Sequence, residues 1–145
     1  MKEPTVFEPL PPHKVLVIDD EKHLCELFTD ILGREGQRVQ TVNSGAAGLA
    51  AFDASPQDFR VVFLDMGLPD MAGLDVLKEI KRRQPQTPVV MITGNATKEN
   101  AVEAMRQGAY DYLAKPFNVA DVAMIAARAL DCALSVGSFV VHNCV

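Results

Sequence analysis

Val61-Val62-Phe63-Leu64-Asp65 is the stretch that decides the fold of this chain. Four consecutive large apolar residues predict a strand buried on both faces, as in a parallel sheet. The run stops at a carboxylate, and Met66-Gly67-Leu68-Pro69-Asp70 follows with turn chemistry. An ionised Asp is costly inside a core, so Asp65 is expected at the strand's exit, facing an open edge.

Similar runs lie on either side. Lys14-Val15-Leu16-Val17-Ile18 ends in Asp19-Asp20-Glu21, and Pro88-Val89-Val90-Met91-Ile92 ends in Thr93-Gly94-Asn95. Both predict buried strands. Ala109-Tyr110-Asp111-Tyr112-Leu113 predicts a further strand before Lys115-Pro116-Phe117, and the alternating Arg38–Val42 a more exposed one. Between them, apolar residues recur at helical spacing. Leu24, Leu27, Phe28, Ile31 and Leu32 share one face before Gly36, and Leu74, Leu77 and Ile80 share another before Pro85. Asn43-Ser44 offers an N-cap for a helix to about Ala54. A helix over about Thr97–Gln107 is broken by Gly108, and Asn118 with Asp121 forms a capping box for a last helix to about Leu134. Five strand–helix pairs predict parallel strands, right-handed crossovers and helices on both faces of the sheet.

Composition bounds the function. With 145 residues and 48% hydrophobic content, the chain suits one domain and not two. A formal charge of -5 and a pI near 5.1 argue against direct nucleic-acid binding. Three cysteines (Cys25, Cys132, Cys144) with no CxxC spacing suggest neither a disulfide framework nor a zinc site, which fits a reducing cytoplasm. No signal-peptide core is visible, and no window approaches the roughly 18 apolar residues of a membrane span. Residues 1–13 carry Pro4, Pro9, Pro11 and Pro12 and read as an extended leader. Residues 135–145 form a tail too apolar for a linker and too short for an output domain.

In such a sheet every strand followed directly by a helix ends at the same edge, where ligands bind. The exits there carry Asp19 and Asp20, Asp65, Thr93 and Lys115, with Asn43 from the second strand. Neighbouring carboxylates are most easily stabilised by a hard divalent cation, and magnesium is commonly held together with a phosphate oxygen. Lys115 makes little sense for metal binding alone but makes sense if a further anion enters, such as a phosphoryl group, and Thr93 can donate its hydroxyl to it. A carboxylate can itself act as the nucleophile and form an acyl phosphate. Taken singly, each residue also has an ordinary reading as a cap, a turn former or a solvated lysine. Their joint occurrence at one edge is what points to a site.

Asp19-Asp20-Glu21, Asp65 with Leu68-Pro69 and Gly73, Thr93-Gly94 and Lys115-Pro116-Phe117 together resemble the receiver domain of two-component response regulators. The likeness covers about residues 14–134. It implies a flavodoxin-like, doubly wound five-stranded sheet of order 2-1-3-4-5. It implies that Asp65 accepts a phosphoryl group from a sensor histidine kinase or phosphotransfer protein, and that the chain is a signalling phosphoacceptor and not an enzyme. Asp19, Asp20, Asp65 and the Gly67 backbone carbonyl would hold Mg2+. Lys115 would pair with the phosphoryl group across a cis Lys115–Pro116 peptide. Thr93 and Tyr112 would act as the switch, remodelling the face of the fourth helix, fifth strand and fifth helix. That face would control a partner, homodimer formation or a downstream output domain. The Ala-rich last helix, with few charges beyond Asp121, Arg128 and Asp131, fits such a contact.

Two other classes compete. An aspartyl-nucleophile phosphatase would need a second acid two residues after the nucleophile, where this chain has Gly67. A flavodoxin-like nucleotide module would need a Gly- or Ser-rich phosphate loop after the first strand. Asp19-Asp20-Glu21 stands there instead.

Overall fold

A computed structural model describes residues 14–94 and 97–137. The leader expected over 1–13, Asn95 and Ala96, and the tail beyond 137 lie outside the described residues. In chain order the elements are β1 (Lys14–Ile18), α1 (Lys22–Arg34), β2 (Arg38–Val42), α2 (Gly45–Ala54), β3 (Phe59–Asp65), α3 (Gly73–Arg83), β4 (Val89–Thr93), α4 (Lys98–Arg106), β5 (Asp111–Ala114) and α5 (Val119–Gly137). A 3-10 turn at Pro56–Asp58 precedes β3. The strands form one parallel sheet in the order β2-β1-β3-β4-β5. Both the strand alternation and the sheet order expected from the sequence are found.

The central strands are buried on both sides, which is why they read as unbroken apolar runs. Side chains alternate between the faces of a strand, so each run feeds two cores. Val15, Val17, Val61, Phe63, Val90 and Ile92 pack with Phe28, Ile31 and Leu32 of α1 and Val122, Ala126 and Ala129 of α5. Leu16, Ile18, Val62, Leu64, Val89 and Met91 pack on the other face with Phe52 of α2, Val76, Leu77 and Ile80 of α3, and Ala104 of α4. β2 is an edge strand, with Arg38 and Thr41 exposed and Val39, Gln40 and Val42 half-buried.

Local chemistry sets the boundaries. Ser44 Oγ accepts the Ala47 N–H, and Thr97 Oγ1 accepts the Asn100 N–H, capping α2 and α4. At α5 the capping box forms in both directions: Asp121 N–H donates to Asn118 Oδ1 at 2.9 Å, and Asn118 N–H to Asp121 Oδ2 at 3.3 Å. β5 starts later than the sequence suggests, at Asp111 instead of Ala109. Gly108 takes a left-handed φ of 101°, and the Ala109 N–H closes onto the Ala104 carbonyl at 3.0 Å. The backbone of Ala109 thus finishes α4, although its side chain is apolar enough for a strand. The cysteine reading also changes, since Cys132 is disulfide-bonded while Cys25 stays a free, buried thiol. Spacing along the chain carries no sign of that pairing. Among the described residues, no helix is long and apolar enough to cross a membrane.

Candidate functional site

Backbone hydrogen bonds tie the strand exits together at the carboxyl edge of the sheet. The Asp19 N–H donates to the Val42 carbonyl at 3.1 Å, Met66 to Ile92 at 2.8 Å, and Lys115 to Thr93 at 2.7 Å. Asp19, Asp65, Thr93 and Lys115 are therefore presented side by side from β1, β3, β4 and β5, which are consecutive in the sheet. A cleft of about 530 Å³ opens there, lined by Asp20, Glu21, Asp65, Met66, Gly67, Thr93, Gly94, Asn100 and Lys115. A larger cleft of about 700 Å³ lies on the other side of Asp20, against α1 and β2. It holds neither Asp65, Thr93 nor Lys115, so the chemistry expected from the sequence sits in the smaller one.

One oxygen each of Asp19, Asp20 and Asp65 falls within 4.8 Å of the others. At that separation, ionised carboxylates repel by about 3 kcal/mol per pair at an effective dielectric of about 20. Burial adds to this. It raises the Asp19 pKa to about 6, with Asp65 adding to the rise and the Glu21 N–H and Lys115 offsetting part of it. The Asp65 pKa is also raised by burial, against the pull of Lys115 and the Gly67 N–H. Asp19 Oδ1 accepts the Glu21 N–H at 2.8 Å, but Asp19 Oδ2 is buried with no hydrogen-bond partner. An orphaned buried oxygen beside two more carboxylates is the donor set that a hard divalent cation fits.

Asn43 does not reach the cluster as a ligand. Its amide donates to the Asp19 backbone carbonyl at 3.2 Å, and the Cys25 thiol donates to the same oxygen at 3.3 Å. Both fix the exit of β1. Burial and the carboxylates of Asp19, Asp20 and Glu26 push the Cys25 thiol up to about 11, so it is a packing group and not a nucleophile.

Lys115 supplies the positive charge. Its Nζ stands 3.8 Å from Asp65 Oδ1, 3.7 Å from Asp19 Oδ2 and 2.7 Å from Glu21 Oε1. Burial opposes the ammonium, but Glu21, Asp19 and Asp65 together outweigh it and hold the Lys115 pKa above its ordinary value. The Lys115–Pro116 peptide is cis. Thr93, 4% exposed, ends β4 on the cleft wall. Gly67 also lines the cleft, and its N–H donates to Asp65 Oδ1 at 3.4 Å. Tyr112 does not line the cleft. It is half-buried on β5 against the core that contains α3 and Ala104.

Three residues with parts to play were not singled out from the sequence. Glu21 pairs with Lys115, and the only sign of it was a third acid in the run. Asn100 lines the cleft from the first turn of α4. Asp70 accepts the Gly45 and Ala46 N–H groups at 2.8 and 2.9 Å, tying the loop after β3 to the start of α2.

The chain's relatives fit this geometry. The model of the response regulator receiver domain matches residues 15–127. The nitrogen assimilation regulatory protein NtrX of Azorhizobium caulinodans is 39% identical over 121 residues, covering 82% of this chain and 26% of that protein. The regulatory protein AtoC of Escherichia coli K12 is 35% identical over 119 residues, covering 81% and 25%. The chain thus spans about a quarter of the length of these two relatives. Among solved structures, a response regulator receiver domain protein from Clostridium thermocellum is 35% identical, with a TM-score of 0.77, covering 82% of this chain and 94% of that one. With the strand order, the acidic cluster and the lysine all in place, the chain belongs to the response regulator receiver domain family, whose members are signalling phosphoacceptors and not true enzymes.

Proposed function

We propose that residues 14–134 act as a receiver that takes a phosphoryl group onto Asp65 from a histidine of a sensor kinase or phosphotransfer protein. The observation that carries this reading is the buried Asp65 carboxylate, which has Lys115 Nζ 3.8 Å away and Asp19 and Asp20 beside it. An Asp65 carboxylate oxygen forms the new bond to phosphorus as the donor's P–N bond breaks. The imidazole leaves with the electron pair, and the product is an acyl phosphate. Lys115 pairs with one phosphoryl oxygen, and the Thr93 hydroxyl donates to another. Asp19, Asp20, Asp65 and the Gly67 carbonyl would hold magnesium, which when bound offsets the negative charge gathering at the site.

The same reading gives the output. Thr93 moves toward the phosphoryl group and Tyr112 turns inward, so a local charge change biases the surface around α4, β5 and α5. That surface then acts on a partner, a second copy or a downstream output domain. Cytoplasmic residence accords with a kinase donor of this kind.

Acetyl phosphate with magnesium tests the assignment, because its phosphoryl group can pass to Asp65 with release of acetate. Intact-mass measurement should show one added phosphoryl group on the wild type and none on Asp65→Asn. An unchanged shift in Asp65→Asn would place the acceptor elsewhere. The phosphatase alternative gains no support here, since position 67 has no acid to protonate a leaving group.

A further inference from the structure

We propose that Glu21 is a competing anion for Lys115, holding the ammonium off Asp65 in the unphosphorylated chain and releasing it when a phosphoryl group arrives. The proposal rests on the reading of Asp65 as the acceptor. Of the three carboxylates around Lys115 Nζ, only Glu21 lies at hydrogen-bond distance, 2.7 Å against 3.7 Å for Asp19 and 3.8 Å for Asp65. The proposed transfer places this lysine on the phosphoryl group, whereas its nearest carboxylate is Glu21 and not Asp65.

Local structure explains why Glu21 is available. It occupies the N-cap position of α1, where a side-chain oxygen would ordinarily accept an N–H of the first turn. Its side chain makes no such bond. The backbone carbonyl of Glu21 instead accepts the Leu24 and Cys25 N–H groups, both at 3.1 Å. The carboxylate is thereby left to reach across 94 residues of sequence to Lys115. Lys115 is fixed at its backbone by the 2.7 Å bond to the Thr93 carbonyl. The ammonium can therefore change partner by side-chain rotation alone. A phosphoryl group brings more than one negative charge, and it wins the lysine from a single carboxylate that is 45% exposed. Glu21 is on this account a positioning residue, setting the threshold at which Lys115 commits to Asp65.

The test uses the full chain with magnesium and beryllofluoride, a phosphoryl mimic, together with the rate of mass gain from acetyl phosphate. An exposed ion pair of this type is modest, so Glu21→Gln should bind the mimic about two- to fivefold more tightly and gain mass faster by a similar factor. Glu21→Ala should move both in the same direction. The gain should vanish when Glu21→Gln is combined with Lys115→Met, because the effect runs through the lysine. Equal or weaker binding by Glu21→Gln would overturn the proposal, and so would a gain that persists in the Lys115→Met background. A wild type that takes up no phosphoryl group would instead overturn the reading of Asp65.

Discussion

Gly73, the first residue of α3, lies so close to the end of β3 that a Cβ on it would overlap the backbone carbonyl oxygen of Asp65 and stand 2.6 Å from Met66 Cα. The neighbours are backbone atoms, which cannot swing aside as a flexible side chain could. The Gly73 N–H also donates to the Met66 carbonyl at 3.1 Å, so the two segments are held together as well as crowded. Gly73→Ala should push the Asp65–Met66 peptide out of place. Overpacking of this kind costs typically about 1–3 kcal/mol, readable by urea denaturation. Phosphoryl uptake should fall further than the fraction folded does. Uptake that tracks the folded fraction alone would show that the glycine serves stability only.

The buried Asp19 Oδ2, which has no hydrogen-bond partner, gives a pH-dependent signature in the chain without metal. Burial lifts the Asp19 pKa from 3.8 to about 6. Below about pH 4 the folded and unfolded chains both hold the proton, and no stability is lost. Between about pH 4 and 6 only the folded chain holds it, so stability falls as pH rises; above that range the full penalty is present, on the order of 3 kcal/mol. Asp65 shifts in the same direction. Glu21, Asp70 and Glu79 have lowered pKa values and act oppositely, losing their contribution as pH falls through them. The comparison that isolates Asp19 is wild type against Asp19→Asn in chelator. The variant should be the more stable at pH 7, with the gap narrowing toward pH 5. Magnesium should raise the melting temperature of the wild type and leave the variant nearly unmoved. A gap of constant size across that range would rule out the buried carboxylate as its source.

The sequence exposed the sheet more readily than the contacts between strand exits. Val61–Leu64, Val15–Ile18 and Val89–Ile92 announce themselves because burial on two faces removes every polar position. Asp19, Asp65, Thr93 and Lys115 could be gathered on paper because topology alone puts strand exits at one edge. The start of β5 is not legible because Ala109 and Tyr110 look strand-like, while the Ala109 N–H is consumed by the end of α4. The role of Glu21 is hidden for a different reason. A pairing between residues 94 apart depends on where two flexible side chains end, and no periodicity encodes that.

Phe28 links α1 to both the sheet and the segment that carries Lys115. Its ring centroid is 4.9 Å from that of Phe63 and 5.8 Å from that of Phe117, and the side chain is fully buried. Phe117 follows Lys115–Pro116 directly. Phe28→Ala should destabilise the chain by about 3–5 kcal/mol through lost burial and the cavity left behind. Among molecules that remain folded, the loosened Phe117 should also weaken beryllofluoride binding, since Lys115 sits two residues away. Phe28→Leu should recover most of both. Full affinity in folded Phe28→Ala would show that the aromatic contact serves the core alone.

Among the described residues, the large apolar side chains left in water are on the helices that flank β5. Val102 and Met105 of α4 are 45% and 46% exposed, and Val119 and Met124 of α5 are 50% and 55% exposed. Arg128 of α5 reaches Asp111 of β5 at 3.7 Å. Exposed apolar side chains on these helices would each contribute to a contact through burial, and charges such as this pair would fix its register. If this surface pairs two copies on activation, beryllofluoride with magnesium should raise the sedimentation coefficient in a concentration-dependent way. Met124→Glu and Val102→Glu should each weaken that association about tenfold or more, since a carboxylate must lose water where a large apolar group gained burial. Neither substitution touches the cleft, so mass gain from acetyl phosphate should stay at the wild-type level. Identical sedimentation with and without the mimic would reject self-association as the output, leaving a different protein or a downstream domain to read the surface.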